Sequence, residues 1–252
     1  LRRQRQMCIR DSRASENMFL DGKGEVIKDL SLKGYLAVAV PGTVLGLDTL
    51  LQSHGTMTRA EVMAPAIRLA REGFVLDQGD VDIIARALPA LQAEANVAVI
   101  FLKEGKPLAA GDRLVQANLA ETLSAIASQG PEVFYRGTIA EKIVAASSAH
   151  GGILSKEDFA TYTVTDETPV RCEYRGYLII SAPPPSSGGA TICLIMNVIE
   201  GYPIAEWGWH GAKSVHVMAE AMRHAFVDRN FLLGDPAFVA NPLERLLSDD
   251  YA

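Results

Sequence analysis

The sequence of 252 residues predicts an α+β or α/β layer protein in which helices outnumber strands. Apolar residues recur at helical period through the middle of the chain, in Leu114–Ser128 and Thr138–His150, and both stretches end at glycine. The period changes to that of strands at Val170–Ser181. The recognisable strands do not complete a sheet, so we expect this chain to be part of a larger layered fold.

Capping and glycine signals define the helices of the first half. Thr43 can cap a helix that runs through Ser53, and Thr58 and Glu61 have the spacing of a capping box for a second helix that ends at Gly73. A third helix is expected over Val81–Ala95. The apolar faces expected to point inward are Val44, Leu47, Leu50 and Leu51 in the first helix and Val62, Ala66, Leu69 and Ala70 in the second.

The second half begins with a capping-box spacing at Ser155, with an acidic residue three positions later. Two strands, Val170–Tyr174 and Tyr177–Ser181, are separated by two residues and predict a hairpin. Helices follow over Ala190–Glu200 and Lys213–Phe231.

Composition is that of a globular protein, with 48% hydrophobic and 21% charged residues. The net charge of −6 argues against nucleic acid as a partner. The longest apolar candidate, Ala190–Ile199, is about half the ~20 residues needed to cross a bilayer, so no membrane segment is predicted. The cysteines Cys8, Cys172 and Cys193 are odd in number and widely spaced, and predict neither a disulfide framework nor a metal site.

The first twelve residues differ from the rest of the chain. The segment 1–12 carries four arginines against one acid, Asp11, and the string MCIRDS resembles translated sequencing-adapter sequence. A basic nucleic-acid-binding arm is the alternative interpretation. We treat 1–12 as non-native and expect 13–252 to be one domain, incomplete at both ends.

A proline- and glycine-rich segment is the most unusual motif, and it comprises Pro183, Pro184, Pro185, Ser186, Ser187, Gly188 and Gly189. The prolines favour an extended backbone, and the glycines allow a tight turn into a helix whose N–H groups could bind an anion. The other interpretation is a loop shaped for packing, with Ser186 or Ser187 as the helix cap. The pattern alone favours this second interpretation, since the segment is not a G-x-S-x-G nucleophile elbow.

Four titratable residues, His216, Glu220, His224 and Asp228, recur every fourth position and would follow one side of a helix. HExxH is absent, so a solvated face is favoured over a metal site. Phosphate-binding glycine loops are absent too, and no cofactor is predicted.

The chain resembles the γ-glutamyltransferase (glutathione hydrolase) family, in its large-subunit region, from Ala14 to Ala252. The resemblance rests on motifs in consistent order and spacing: Val40–Val44, Leu69–Phe74, Gly111–Leu119, Phe134–Ala140, Pro183–Gly189 and Gly234–Phe238. It implies an N-terminal-nucleophile hydrolase, an αββα sandwich whose precursor cuts itself into a large and a small subunit. The N-terminal threonine of the small subunit would attack the γ-glutamyl amide of glutathione, and water or an amine acceptor would take the γ-glutamyl group.

Two family features have no counterpart here. The nucleophilic threonine is expected beyond Ala252, and the arginine that grips the substrate carboxylate is expected before Ala14 and is carried onto neither Arg10 nor Arg13. No catalytic, substrate-binding or metal residue is therefore assigned, and the Pro183–Gly189 residues are assigned a structural role.

The resemblance also implies a periplasmic or secreted location and strands that pair with the small subunit, leaving Ala190–Ile199 partly exposed in the lone chain. A related cephalosporin or glutaryl acylase, or an inactive relative that binds γ-glutamyl compounds, are the alternatives.

Overall fold

The computed structural model describes residues 11–252, which divide into two compact units. We call them the central unit (Asp11–Arg13 and Asp29–Val164) and the C-terminal unit (Ala14–Lys28 and Thr165–Ala252). The sequence predicts one domain. Ten of the twelve residues predicted to be non-native, 1–10, lie outside the described residues.

The central unit is built mainly of helices. Its helices are α1 (Thr43–His54), α2 (Arg59–Glu72), α3 (Gln78–Ala93), α4 (Ala95–Phe101), α5 (Ala117–Gln129), α6 (Glu132–Tyr135), α7 (Thr138–Ala149) and α8 (Lys156–Ala160). Its strands are β1 (Phe74–Val75), β2 (Leu102–Lys103), β3 (Lys106–Pro107) and β4 (Arg113–Leu114). β1 pairs antiparallel with β4, and β2 pairs antiparallel with β3.

Capping boxes start three helices of this unit. The two predicted boxes, opened by Thr58 and by Ser155, are confirmed. In each, the N-cap side chain accepts a hydrogen bond from the backbone N–H of the acidic residue, and the acidic side chain accepts one from the backbone N–H of the N-cap residue. Asp77 opens a third box with Asp80, which sequence analysis missed. These bonds satisfy N–H groups that a helix start would otherwise leave unpaired.

Aromatic side chains form the core of the central unit. Phe134, Tyr135 and Phe159 pack together, and Phe159 is fully buried. The Tyr135 hydroxyl donates a hydrogen bond to the Pro41 carbonyl (2.7 Å) and accepts one from the Leu45 backbone N–H (3.1 Å). One buried phenol thus fixes the start of α1 on the core.

The predicted inward faces of α1 and α2 are only partly correct. Leu47 and Leu50 are 62% and 57% exposed, and Leu69 is 47% exposed. Val44 packs against the core as predicted, and so does Met63, which was not predicted to. The apolar stripes on these helices are wide, and the neighbouring helices, not the period, select which edge of the stripe is buried. Val62 and Ala66 are exposed as well, whereas Ala70 is buried as expected.

Two residues of the segment that sequence analysis set apart are packed in the central unit. Asp11 is buried, and its carboxylate accepts a hydrogen bond from the Val40 N–H (3.2 Å). The Ser12 N–H donates to the Asp158 carboxylate (2.7 Å). Asp11 and Ser12 are therefore part of the packed structure of the central unit.

The C-terminal unit combines one hairpin with packed helices. Its strands are β5 (Val170–Tyr174) and β6 (Tyr177–Ser181), and its helices are α9 (Gly188–Glu200), α10 (Ala212–Leu232) and α11 (Leu243–Leu246). The hairpin is confirmed with the predicted bounds. Its turn residues, Arg175 (φ 49°) and Gly176 (φ 83°), both take the left-handed conformation, which matches the twist of a two-residue hairpin.

Helix α9 is the centre of the second core. Ala190 and Leu194 on α9 pack with Ala225, Leu233 and Leu246. The expectation that Ala190–Ile199 is exposed in part agrees with the structure: Ile192 is 42% exposed and Ile195, Met196 and Val198 are only partly buried, whereas α10 and α11 cover Ala190 and Leu194. Among residues 11–252, no helix is both long and apolar enough to cross a membrane.

Candidate functional site

The proline–serine–glycine segment connects β6 to α9. Pro184 is buried, and the Pro184–Pro185 peptide bond is cis. Ser186 is exposed and accepts a long hydrogen bond from the Gly188 N–H (3.4 Å). The segment thus carries the chain from the hairpin directly into the buried start of α9.

Ser187 occupies the N-cap position of α9, but its side chain makes no capping hydrogen bond. Its hydroxyl instead accepts a hydrogen bond from Nε of Arg229 on α10 (2.8 Å). The Ser187 carbonyl accepts from the Thr191 backbone N–H (3.0 Å) and hydroxyl (2.7 Å). The prediction that Ser187 occupies the N-cap position is correct. The prediction that its hydroxyl caps the helix is wrong, because that hydroxyl binds Arg229 of α10 instead.

The hydrogen-bond partner limits what Ser187 can do chemically. A serine nucleophile needs a base that accepts its proton. Arg229 only donates hydrogen bonds and keeps its charge in proteins. The Ser187–Arg229 pair therefore favours holding the segment in place over activating the hydroxyl.

The two glycines of the segment differ in what surrounds them. A Cβ on Gly189 would collide with the carbonyl oxygen of Ala182, whereas a Cβ on Gly188 would meet Ser186 Oγ at an ordinary 3.6 Å. Close approach of the backbones of β6 and α9 therefore requires glycine at position 189 only.

A disulfide joins the other strand of the hairpin, β5, to α9, and here the sequence prediction is wrong. Cys172 on β5 is bonded to Cys193 on α9, with their Cα atoms 5.9 Å apart. Counting cysteines missed the pair because the third cysteine, Cys8, makes the number odd; Cys8 lies outside the described residues. The register of the hairpin places Cys172 on its inward face opposite Ile179, facing α9.

The four titratable residues of α10 do share one side of the helix, as predicted. His216, Glu220, His224 and Asp228 line a cavity of about 480 Å³ together with Tyr251. The hydrogen bond from Arg223, together with the charges of Arg223 and the two histidines, holds the pKa of Glu220 below its usual value. No group of three or more His, Cys, Asp or Glu side chains that could hold a metal ion is found between residues 11 and 252.

Tyr251 closes one side of this cavity. Its hydroxyl donates to the Asp228 carboxylate (3.1 Å), and Arg245 lies over its ring. Burial and the Asp228 charge raise the pKa of the phenol. These contacts tie α10 to the segment that follows α11.

Comparison with known proteins identifies the class to which this architecture belongs. The sequence model of the γ-glutamyltranspeptidase family matches residues 11–252. The chain is 52% identical over 240 residues to the glutathione hydrolase proenzyme of Pseudomonas sp. strain A14, a match that covers 95% of this chain and 42% of that protein. It is 41% identical over 219 residues to an acylase ACY 1 proenzyme of Pseudomonas sp. strain SE83, covering 87% and 39%.

A solved structure agrees with this assignment. The γ-glutamyltranspeptidase of Helicobacter pylori superposes with a TM-score of 0.93 at 39% identity, over 96% of this chain and 69% of that one. The chain belongs to the γ-glutamyltranspeptidase family. It spans less than half the length of the two proenzymes that it matches.

Proposed function

We propose that this chain is the large-subunit portion of an enzyme that hydrolyses or transfers the γ-glutamyl group of glutathione and related amides. The observation that carries the proposal is the 52% identity, over nearly the whole chain, to a glutathione hydrolase proenzyme. The nucleophile would be a threonine on the polypeptide beyond this region, exposed when the precursor is cut into two subunits. Its free α-amine would serve as the general base.

The hairpin supports the proposed αββα sandwich. Helix α9 covers one face of β5 and β6. The opposite face carries Leu178 and Ile180, which are 55% and 57% exposed. A strand pair with helix on one face and bare aliphatic side chains on the other fits the outer half of a layered sandwich, in which a second sheet covers that face.

The test of the activity compares this chain with the complete precursor. We expect the full open reading frame to release amine from a chromogenic γ-glutamyl anilide, and the present chain to release none. The matched control is the precursor with its new N-terminal threonine changed to alanine, which should bind substrate without turnover. If amine release co-purifies with the present chain alone, the assignment of the chemistry to the other subunit is contradicted.

The same precursor discriminates the acylase alternative. The observation that favours an acylase is the 41% identity to an acylase proenzyme, a lower and shorter match than that to the glutathione hydrolase. Preferential release of the side chain of an acylated cephalosporin would favour the acylase. Ligand binding without turnover on either substrate would favour the inactive relative.

The sandwich proposal has a separate test. The chain is expressed with and without the rest of the precursor, and amide hydrogen exchange is compared over residues 170–200. We expect the strand amides of β5 and β6 to gain protection on assembly, because their outer edges would then be paired. Equal protection in the lone chain would overturn this architecture while leaving the activity test untouched.

A further inference from the structure

We propose that the bond between Cys172 and Cys193 is a structural disulfide, acquired by oxidative folding, that fastens the Pro183–Gly189 segment between the hairpin and α9. The proposal goes beyond the γ-glutamyl chemistry and does not depend on it. It assigns a covalent modification site to this chain and a requirement for an oxidising compartment during folding.

The position of the bond explains what it would hold. The two cysteines are 21 residues apart, and the ring that they close contains the hairpin turn, β6 and the whole proline–serine–glycine segment. Closing such a ring removes conformations from the unfolded chain, and thereby stabilises the folded one. The ring is also held at Ser187, which accepts a hydrogen bond from Arg229. One covalent bond to α9 and one hydrogen bond from a charged side chain of α10 thus hold the same short connection.

Burial of Cys193 favours a structural bond over a reversible switch. Cys193 is completely buried, among Ala190 and Leu194 at the start of the second core. Thiol–disulfide exchange needs a thiolate to approach along the bond to a sulfur atom. Attack at the sulfur of Cys193 therefore requires α9 to separate from the hairpin, whereas Cys172 is only partly buried and its sulfur is the more accessible of the two.

Formation of the bond needs an oxidant, which we identify by class. The two thiols lose two protons and two electrons to the disulfide of a thiol oxidoreductase or of oxidised glutathione, which is reduced to two thiols. Disulfides of this kind persist in the periplasm and outside the cell, and they are rare in the bacterial cytosol. The bond thus gives a physical reason to expect folding outside the cytosol.

The first experiment maps the thiols. The whole chain with Cys8→Ser is produced in the bacterial periplasm, alkylated in denaturant without reductant, digested and analysed by mass spectrometry. We expect a Cys172–Cys193 crosslinked peptide and no alkylated cysteine. Two alkylated cysteines would overturn the proposal, and because the sample is denatured this result does not depend on how well the chain folds.

The second experiment separates a structural bond from an incidental one. Millimolar reduced glutathione is added to the chain with and without urea, and we expect reduction to be at least tenfold slower in the native chain. After forced reduction, the melting temperature should fall by about 5–10 °C, the size expected for closing a ring of this length. Amide exchange should increase over residues 183–195.

The control is Cys172→Ala/Cys193→Ala in the same Cys8→Ser background, whose melting temperature should not respond to reductant. If that double variant does not fold, the oxidised and reduced samples of the parent decide the question by themselves. If the crosslink is found but its reduction changes neither the melting temperature nor the amide hydrogen exchange, the proposed structural role is wrong.

Discussion

The guanidinium of Arg229 donates a hydrogen bond from Nε to the hydroxyl of Ser187, 2.8 Å away and 42 positions earlier in the chain. The contact joins the last turns of α10 to the residue that precedes α9. It turns a serine in a capping position into an attachment point for another helix. Because both residues are partly buried, the bond is shielded from competing water.

Removing either partner should loosen the start of α9. We expect Arg229→Lys and Ser187→Ala each to lower the free energy of unfolding by about 1–3 kcal/mol, the range for hydrogen bonds to charged groups. Lysine cannot reproduce the directed Nε donor. The measurement is a double-mutant cycle by urea unfolding, with Arg223→Lys, an exposed arginine on the same helix, as control. Additive effects of the two substitutions would show that they do not interact.

Glycine 189 should be irreplaceable and glycine 188 replaceable. Gly189→Ala forces a methyl group against the Ala182 carbonyl, so we expect a loss of about 1–3 kcal/mol in unfolding free energy. Gly188→Ala meets an ordinary contact at 3.6 Å and should be neutral or stabilising, because alanine favours the helix. Thermal unfolding of the two variants gives the comparison, and equal effects would contradict it.

The Tyr135 hydroxyl should matter more than other phenols of the central unit. Tyr135→Phe leaves the Pro41 carbonyl and the Leu45 N–H without their partner, so we expect a loss of about 1–3 kcal/mol. The control is Tyr35→Phe, which keeps the ring stacked on His150 and should change the unfolding free energy by less than about 0.5 kcal/mol. Chemical denaturation followed by tyrosine fluorescence or circular dichroism provides the measurement.

Sequence reasoning succeeded where structure depends on neighbours in the chain. The capping boxes at Thr58 and Ser155 and the hairpin at 170–181 depend on residues within a few positions of one another, and all three are confirmed. The Ser187–Arg229 contact and the Cys172–Cys193 bond join positions 42 and 21 residues apart. No local spacing rule selects such partners, because the fold and not the period brings them together.

The same division applies to the candidate site. The seven residues of the Pro183–Gly189 segment stood out by composition. The contacts of these residues could not be predicted from composition. Gly189 is required because the Ala182 carbonyl lies close to it, and the Ser187 hydroxyl is bound by the distant Arg229. The shared side of His216 and Glu220 followed from helical period, whereas the cavity that they line depends on packing against α9 and Tyr251.

Two carboxylates of the central unit should shift its acid stability in opposite directions. Burial raises the pKa of Asp158, but hydrogen bonds from Ser155 and Ser12 outweigh it and hold that pKa below the usual value. Burial and the nearby Asp158 charge raise the pKa of Asp11, although the Val40 N–H opposes them. Asp158 therefore stabilises the fold above its unfolded-state pKa and loses this contribution as the pH falls through its folded-state pKa. Asp11 favours the fold when protonated, and this contribution is lost as the pH rises.

The two variants separate these effects. Asp158→Asn should lower stability at pH 7 and reduce the loss on acidification from pH 5 to 2.5. Asp11→Asn should preserve or raise stability at pH 7 and make the loss on acidification steeper. Urea unfolding at half-unit pH intervals gives both profiles. If the free energy of unfolding of both variants depends on pH with the same slope as that of the parent chain, neither carboxylate is coupled to folding as the structure indicates.

Asp11 and Ser12 should stabilise the central unit, in contrast to residues 1–10. Deletion of 1–10 is expected to change the free energy of unfolding by less than about 0.5 kcal/mol, the scatter of surface changes. Deletion of 1–12 also removes the Asp11 and Ser12 hydrogen bonds, so we expect a further loss of about 1–3 kcal/mol. Asp11→Ala/Ser12→Pro in the chain lacking 1–10 is the matched control, since it removes the buried carboxylate and the donor N–H without shortening the chain. Equal stability of the two deletions would mean that Asp11 and Ser12 contribute nothing to the fold. A loss of stability already on deleting 1–10 would mean that these ten residues contribute to it.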